Sequence, residues 1–161
     1  MINFIKICFP IMLVAVLTFS CKKKISDTLE LPEATQRGAY TFGCLVDSSV
    51  FVPRMTSEIP VLSVERGGSF LKIIARGGPK GSSIGLNIAE LKGIGEYPIL
   101  ADGTSSYQIS SNNYFATSGK ITITRYDLSN KIVSGLFYFQ AKHENSDKTV
   151  AVQDGRFDLT F

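Results

Sequence analysis

Cys44 and His143 are the side chains whose types could form a nucleophilic pair. A cysteine nucleophile needs a base, usually histidine, to generate its thiolate. His143 is the only histidine of the chain and lies in "KHENSD", a turn by composition, whereas Cys44 lies in the alternating strand pattern "YTFGCLV". A dyad would require the inward face of that strand to meet an exposed turn. We therefore expect Cys44 to be a small core residue and His143 to face solvent.

Two further motifs resemble ligand-binding sequences. The stretch "ENSD" (144–147), together with Asp154, offers oxygen ligands for calcium, but the spacing fits no EF-hand. "RGGPKGSS" (76–83) lacks the lysine followed directly by serine or threonine that a phosphate loop requires, because Lys80 precedes Gly81. We interpret the two motifs as a solvated turn and a hairpin loop, and we predict no metal and no cofactor.

Asp127, Asp154 and Asp158 are the carboxylates that could cooperate in glycoside hydrolysis, which needs two such groups facing one bond. Asp127 and Asp154 lie in predicted turns, where aspartate caps backbone groups. Asp158 alternates with Phe157 and Leu159, so we expect it to face water. We assign no catalytic residue and expect a non-enzymatic protein, with a carboxylate-dependent hydrolase as an alternative.

Three tyrosines lie in or beside a polar, asparagine-rich stretch and are candidate ligand-surface aromatics: Tyr107, Tyr114 and Tyr126. Tyrosine also closes the rim of a β core with its hydroxyl in water, so a purely structural role stays open. Sugar-binding platforms often use tryptophan, and the chain contains none.

The first 21 residues have the three parts of a secretory signal. Lys6 supplies a positive charge, the apolar run 7–17 follows, and "LTFSC" resembles a bacterial lipobox ending at Cys21. The pattern predicts a signal peptide over 1–20 and a lipid on Cys21. Each buried methylene of such a lipid contributes about 0.8 kcal/mol, so several acyl chains would anchor the protein to a membrane permanently.

Residues 21–38 are polar and predict a lipidated N-terminus followed by a flexible tether. The formal net charge of the chain is +3. Lys6 leaves with the signal, however, and three lysines (22–24) lie beside the anchor. Beyond Lys24, 13 cationic residues oppose 14 acidic ones. The folded part is therefore close to neutral, which argues against nucleic-acid binding.

Residues 39–161 predict one all-β domain. Short alternating segments recur every 8 to 12 residues between turns rich in glycine, asparagine, aspartate and serine, and "GKITITRY", "KIVSGLFYFQAK" and "RFDLTF" are the clearest of them. We predict a single antiparallel β-sandwich, with a lipocalin-like or partly open β-barrel as the alternative. Gly135, inside one predicted strand, marks a bulge or close packing. Cys44 would have no disulfide partner in the mature chain.

The stretches "LPEATQRGAYTFGCLVD", "GKITITRYD", "KIVSGLFYF" and "VQDGRFDLTF" together resemble a family of uncharacterised lipoproteins from Bacteroidetes-type bacteria, classed as a domain of unknown function. The resemblance implies a lipid anchor and a compact all-β domain, and it supplies no catalytic residues. In such bacteria an acidic patch after the lipidated cysteine is associated with export to the cell surface. Here "KKKIS" follows Cys21, so the resemblance favours the periplasmic side.

The function expected from the sequence is that of a lipid-anchored cell-envelope lipoprotein, held in the outer membrane and facing the periplasm. Its β domain would be a non-enzymatic binding or structural module with an envelope protein or glycan as partner. The alternative is a module that binds a carbohydrate or a small apolar ligand.

Overall fold

A computed structural model describes residues 29–54 and 61–161. The predicted signal peptide, Cys21 and the start of the predicted tether lie outside the described residues. The described chain forms one 3₁₀ turn (Pro79–Gly81) and antiparallel strands. The strands are β1 (Thr41–Val46), β2 (Ser49–Phe51), β3 (Leu62–Gly67), β4 (Phe70–Ala75), β5 (Ser83–Ile88), β6 (Gly95–Ile99), β7 (Ser106–Ile109), β8 (Asn112–Asp127), β9 (Ile132–His143) and β10 (Thr149–Thr160).

The strands belong to one curled sheet in the order β2-β1-β10-β9-β8-β7-β5-β4-β3. β9 pairs with one edge of β8, while β7 and β6 share the other edge, β7 near its start and β6 opposite 119–123. The curl produces a half-barrel, and side chains from both halves form one core cluster. The prediction of an all-β antiparallel domain is confirmed, and the sheet has the form of a partly open barrel.

The long strands β8, β9 and β10 are the frame of the domain. The side chains of β9 alternate between the two faces over 136–142, while bulges interrupt the alternation of β8 and β10. On β9, Phe137 and Phe139 point into the core, while Leu136 and Tyr138 point outward and are about half exposed. A Cβ on Gly135 would lie 2.6 Å from the ring of Phe157. The predicted close packing at this glycine is confirmed, because no larger side chain fits there.

Cys44 is fully buried in the core cluster, as predicted. Burial in apolar surroundings disfavours the thiolate and raises the pKa of the thiol to about 12. The side chain therefore behaves as a small hydrophobic group.

The open edges of the sheet approach each other through single contacts. The Tyr40 hydroxyl donates a hydrogen bond to the Leu62 carbonyl at 3.1 Å. The Arg54 amide donates to the Gly77 carbonyl at 3.0 Å, linking the segment after β2 to the segment after β4. These contacts draw the two edge regions together without extending the strand ladder.

Among the described residues, no helix has the length and apolar character needed to cross a membrane.

Candidate functional site

One end of the curled sheet carries a concave site that we call the end cavity. It has a volume of about 310 Å³ and lies between the β1–β2 turn, the 3₁₀ turn and the β7–β8 hairpin. Its apolar wall includes Val46, Phe51, Ile109 and Val150. Its volume is at the lower end of the range typical of small-molecule sites, and its wall is largely apolar, as in such sites.

Tyr107 and Tyr114 lie directly opposite each other in the β7–β8 ladder and both line the end cavity. Their ring centroids are 5.9 Å apart. Tyr107 is buried, its hydroxyl is hydrogen-bonded to that of Ser82, and burial raises its pKa above the ordinary value. Tyr107 is thus held as part of the wall, whereas Tyr114 is half-buried.

His143 ends β9 behind Tyr114, and the two rings meet edge to face with centroids 5.2 Å apart. Its Nδ1 accepts a hydrogen bond from the Asn145 amide at 3.1 Å, and its Nε2 lies 3.2 Å from Asn112 Oδ1. His143 was expected to face solvent, and it does so in part, because one side of its ring is covered by the ring of Tyr114. Both ring nitrogens are engaged with asparagines, and neither contacts Cys44.

The polar rim of the end cavity contains Asp47 and Lys80. The Asp47 carboxylate accepts a hydrogen bond from the Ala151 amide at 2.8 Å, which fixes the β1–β2 turn to β10. Lys80 is exposed and has no ion-pair partner within residues 29–54 and 61–161. Asp47, Ser48 and Lys80 all have positive φ. The cavity therefore combines a satisfied carboxylate with an unpaired cation on strained turns.

Tyr126 lies at the opposite end of β8 from Tyr114. Its hydroxyl accepts a hydrogen bond from Arg66 Nε at 2.6 Å, and its ring stacks on Phe161 with centroids 6.1 Å apart. The Arg66 guanidinium lies over both rings, at 5.6 Å from Tyr126 and 5.4 Å from Phe161. The structure therefore brings two of the predicted aromatics together and places the third in a contact that joins β3 to β8.

The same opposite end carries a hydrogen-bond cluster around Asp158, which we call the Asp158 latch. The carboxylate accepts hydrogen bonds from the Thr35 hydroxyl at 2.6 Å and the Ser134 hydroxyl at 2.7 Å. Three backbone amides also donate to it, those of Arg37 (2.9 Å), Gly38 (2.8 Å) and Ala39 (3.0 Å). The expectation that Asp158 faces water is wrong, since the residue is only 1% exposed.

These hydrogen-bond donors keep the Asp158 carboxylate ionised. Burial of the carboxyl acts to raise its pKa, but the hydrogen bonds from Thr35, Ala39, Ser134 and Arg37 favour the ionised form. The hydrogen bonds prevail and hold the pKa of Asp158 well below its usual range. A buried carboxylate satisfied in this way is costly to alter, because its donors would lose their acceptor.

Residues 31–39 form a segment on the outer face of the sheet, which we call the strap. Pro32 packs on Gly43, where a Cβ would lie 2.5 Å from its ring, and the Pro32 carbonyl accepts a hydrogen bond from Arg156 Nη1 at 3.5 Å. Further along, the Gln36 carbonyl accepts one from Arg125. The last residues of the predicted tether therefore lie on the domain and are held there by side chains of β8 and β10.

The three carboxylates considered for catalysis have separate structural partners. Asp127 accepts hydrogen bonds from the side chain of Asn130 at 2.8 Å and from Arg125 at 2.7 Å, which hold its pKa well below the usual range. Asp154 lies at the bulge of β10 with positive φ, and Asp158 belongs to the latch. Within the described residues, no group of three or more His, Cys, Asp or Glu side chains is placed to hold a metal ion.

A second concave surface, the outer groove, lies on the outer face of β8, β9 and β10 beside the strap. Its volume is about 610 Å³. Leu136 (44% exposed) and Tyr138 (52% exposed) form its apolar floor, with Lys120, Asp154 and Arg156 around them. Lys120 is paired with Glu96 at 2.7 Å. The groove is an amphipathic surface on the same side of the sheet as the strap.

A sequence profile of a domain of unknown function (DUF6252) matches residues 63–158, more than half of the chain. The chain belongs to the DUF6252 family. The match extends from β3 to Asp158, so it includes Tyr107, Tyr114 and the acceptor of the latch. Searches of curated proteins and of solved structures return no significant match.

Sequence reasoning did not find the donors of the latch or the contributions of Phe51 and Lys80 to the end cavity. The alternation in "RFDLTF" places Asp158 correctly on the outer face, but nothing in that pattern shows that the strap covers the face. The loop composition of "GGPKGSS" was the available signal for Lys80, and only the fold places this loop beside the β7–β8 hairpin.

Proposed function

We propose that this protein is a lipid-anchored lipoprotein of the bacterial cell envelope whose β domain is a non-enzymatic binding module. The anchor is the lipid on Cys21, supported by the signal-like segment 1–20 and the polar residues that follow. "KKKIS" after the cysteine supports a position in the outer membrane facing the periplasm. The three lysines favour anionic headgroups by about 1 kcal/mol each near the surface.

The end cavity is the observation that carries the binding function. The interior of the half-barrel is filled by packed side chains, so a ligand would be bound at the end rather than inside. Phe51, Tyr107 and Tyr114 contribute aromatic rings, and Lys80, which has no ion-pair partner in the part of the chain that the structure describes, contributes a cation at the rim. The ligand class that fits is a small amphipathic molecule with an apolar or aromatic body and one anionic group.

A carbohydrate is the second ligand class, because the half-buried ring of Tyr114 lines the end cavity. A sugar would stack on this ring and would not depend on the charge of Lys80. Removal of the Lys80 charge should therefore weaken the binding of an anionic ligand and leave the binding of a sugar unchanged.

Metabolic labelling with radioactive palmitate tests the anchor. The Cys21→Ala variant is expected to lose the label, and the Cys44→Ala variant is expected to retain it, because the buried thiol is inert. Label on the Cys21→Ala protein would contradict the anchor assignment.

Titration of the mature protein with 8-anilinonaphthalene-1-sulfonate, an apolar ring system carrying one anion, tests the cavity. We expect saturable binding to one site, and about fivefold weaker binding by Lys80→Gln, the size expected for a partly exposed charge pair. The control is Lys131→Gln, an exposed lysine with the same positive φ at the other end of the barrel. Equal binding by both variants and the wild type would contradict the assigned ligand class. Saturable binding of a neutral glucoside, unaffected by either variant, would favour the carbohydrate class.

A further inference from the structure

The outer groove and the strap occupy the same outer face of β8, β9 and β10. Arg156 links them, because its guanidinium donates to the Pro32 carbonyl and also borders the groove. In the β9–β10 ladder Arg156 lies directly opposite Leu136, which belongs to the groove floor. The strap therefore lies adjacent to the groove.

The distance between the groove and the proposed anchor is limited by the chain. Ten residue steps separate Cys21 from Leu31, the first residue of the strap, and they span at most roughly 35 Å when fully extended. The latch prevents this reach from growing, since four hydrogen bonds from residues 35–39 to Asp158 hold that segment on the sheet. The strap is thus the described part of the domain that is nearest to the lipid along the chain, and its face lies within reach of the bilayer.

The chemistry of the groove suits the boundary between headgroups and acyl chains. Leu136 and the ring of Tyr138 supply apolar surface, and the tyrosine hydroxyl remains available to water. Lys120 and Arg156 have long stems that can lie on apolar surface. The Lys120 ammonium pairs with Glu96, and the Arg156 guanidinium donates to the Pro32 and Asp154 carbonyls. Among the described residues that line the groove, Asp154 is the one carboxylate, and the Glu96 carboxylate pairs with Lys120 beside it.

We propose that the outer groove is a membrane-contacting surface, so that the domain lies with this face on the bilayer to which Cys21 is anchored. The inference rests on the proposed lipid anchor. It adds a defined orientation, in which Leu136 and Tyr138 enter the interface and the end cavity opens to the side, parallel to the membrane.

Tryptophan fluorescence in vesicles tests this orientation, because the chain has no tryptophan of its own. Tyr138→Trp places a reporter in the groove, and Leu136→Trp gives a second reporter on the same surface. The control is Phe70→Trp, which replaces an aromatic of similar exposure (42%) on the outer face of β4. Each lipidated variant is reconstituted in phosphatidylcholine vesicles, with and without acyl chains brominated at carbons 6 and 7.

We expect brominated lipid to reduce the fluorescence of both groove reporters about twofold, as for side chains at the acyl boundary, and to leave Trp fluorescence of the Phe70→Trp variant unchanged. Unquenched groove reporters in protein that floats with the vesicles would overturn the orientation and leave the anchor intact. Equal quenching of all three variants, or quenching of the Phe70→Trp variant alone, would also overturn it. Protein that does not float with the vesicles would refute the anchor itself, and the orientation with it.

Discussion

The two ends of the curled sheet differ in the burial and pairing of their charged side chains. At the latch end, the Asp158 carboxylate is buried and accepts five hydrogen bonds, three of them from backbone amides. At the cavity end, the cation of Lys80 is exposed and unpaired among the described residues, beside the half-buried ring of Tyr114 and the buried rings of Phe51 and Tyr107. A satisfied buried charge rigidifies its surroundings, whereas an unpaired charge at the rim of an apolar cavity is available to a ligand.

The attachment of the strap and the candidate ligand site therefore lie at opposite ends of the barrel. The strap joins the domain at the latch end, and the concave site lies where β8 begins, at the far end of that strand. The buried core between them, with Cys44 and Phe139 fully inaccessible, connects the two ends as one packed body. Substitutions that affect only one end therefore test the division most sharply.

The largest effect is expected from Asp158→Asn. The amide keeps the volume of the side chain but turns one acceptor oxygen into a donor facing the amide and hydroxyl donors of the latch. We expect a loss of about 3–5 kcal/mol in the free energy of unfolding, measured by urea denaturation. The matched control is Asp154→Asn, an exposed aspartate on the same strand, which should change stability by less than about 0.5 kcal/mol. Equal stability of the two variants would contradict the latch.

The pH dependence of stability follows from the same group. Since the folded-state pKa of Asp158 is lowered, its contribution is complete above the unfolded value of about 3.9 and is lost as the pH falls through the folded value. Urea midpoints of the wild type should therefore be steady near neutral pH and drop increasingly below about pH 4. The drop should be smaller in Asp158→Asn, which has no proton to bind there. Parallel pH profiles for the two proteins would show that other carboxylates govern acid unfolding.

Tyr107→Phe and Tyr126→Phe make the same small change at opposite ends. Removing the buried Tyr107 hydroxyl leaves that of Ser82, also buried, without its partner, so we expect a loss of about 1–2 kcal/mol. Removing the hydroxyl of half-exposed Tyr126 breaks its bond to exposed Arg66, and water can replace the partner, so about 0.5 kcal/mol is expected. Thermal unfolding of both variants tests whether Tyr107→Phe loses more stability than Tyr126→Phe.

Binding of 8-anilinonaphthalene-1-sulfonate should change only for Tyr107→Phe, and a change for Tyr126→Phe would count against the location of the site.

Much of the fold could be predicted from the sequence, because the alternation in "GKITITRY" and "KIVSGLFYFQAK" is a local property of each strand. Cys44 was placed in the core for the same reason. The curl of the sheet depends on contacts between distant residues, such as Tyr40 with Leu62, and no local pattern encodes them. Asp158 shows the limit most clearly: its face was predicted correctly, but its burial depends on a strap more than a hundred residues earlier in the chain.

Of the candidate aromatics, Tyr107 and Tyr114 were close in sequence, and a hairpin brings them together. Tyr126 lies on the same strand as Tyr114 but twelve residues beyond it, at the other end. Composition therefore identified a group of similar residues, and only strand geometry could divide it between the two ends.

Native-state hydrogen exchange at the amides of Arg37, Gly38 and Ala39 is the most direct test of the claim that the strap is latched to the domain. All three donate to Asp158, and we expect them to be protected to an extent comparable with the amides of β9 and to lose that protection in Asp158→Asn. Exchange of these amides in the wild type at the rate of an unstructured peptide would contradict the account, because the segment would then be a free tether.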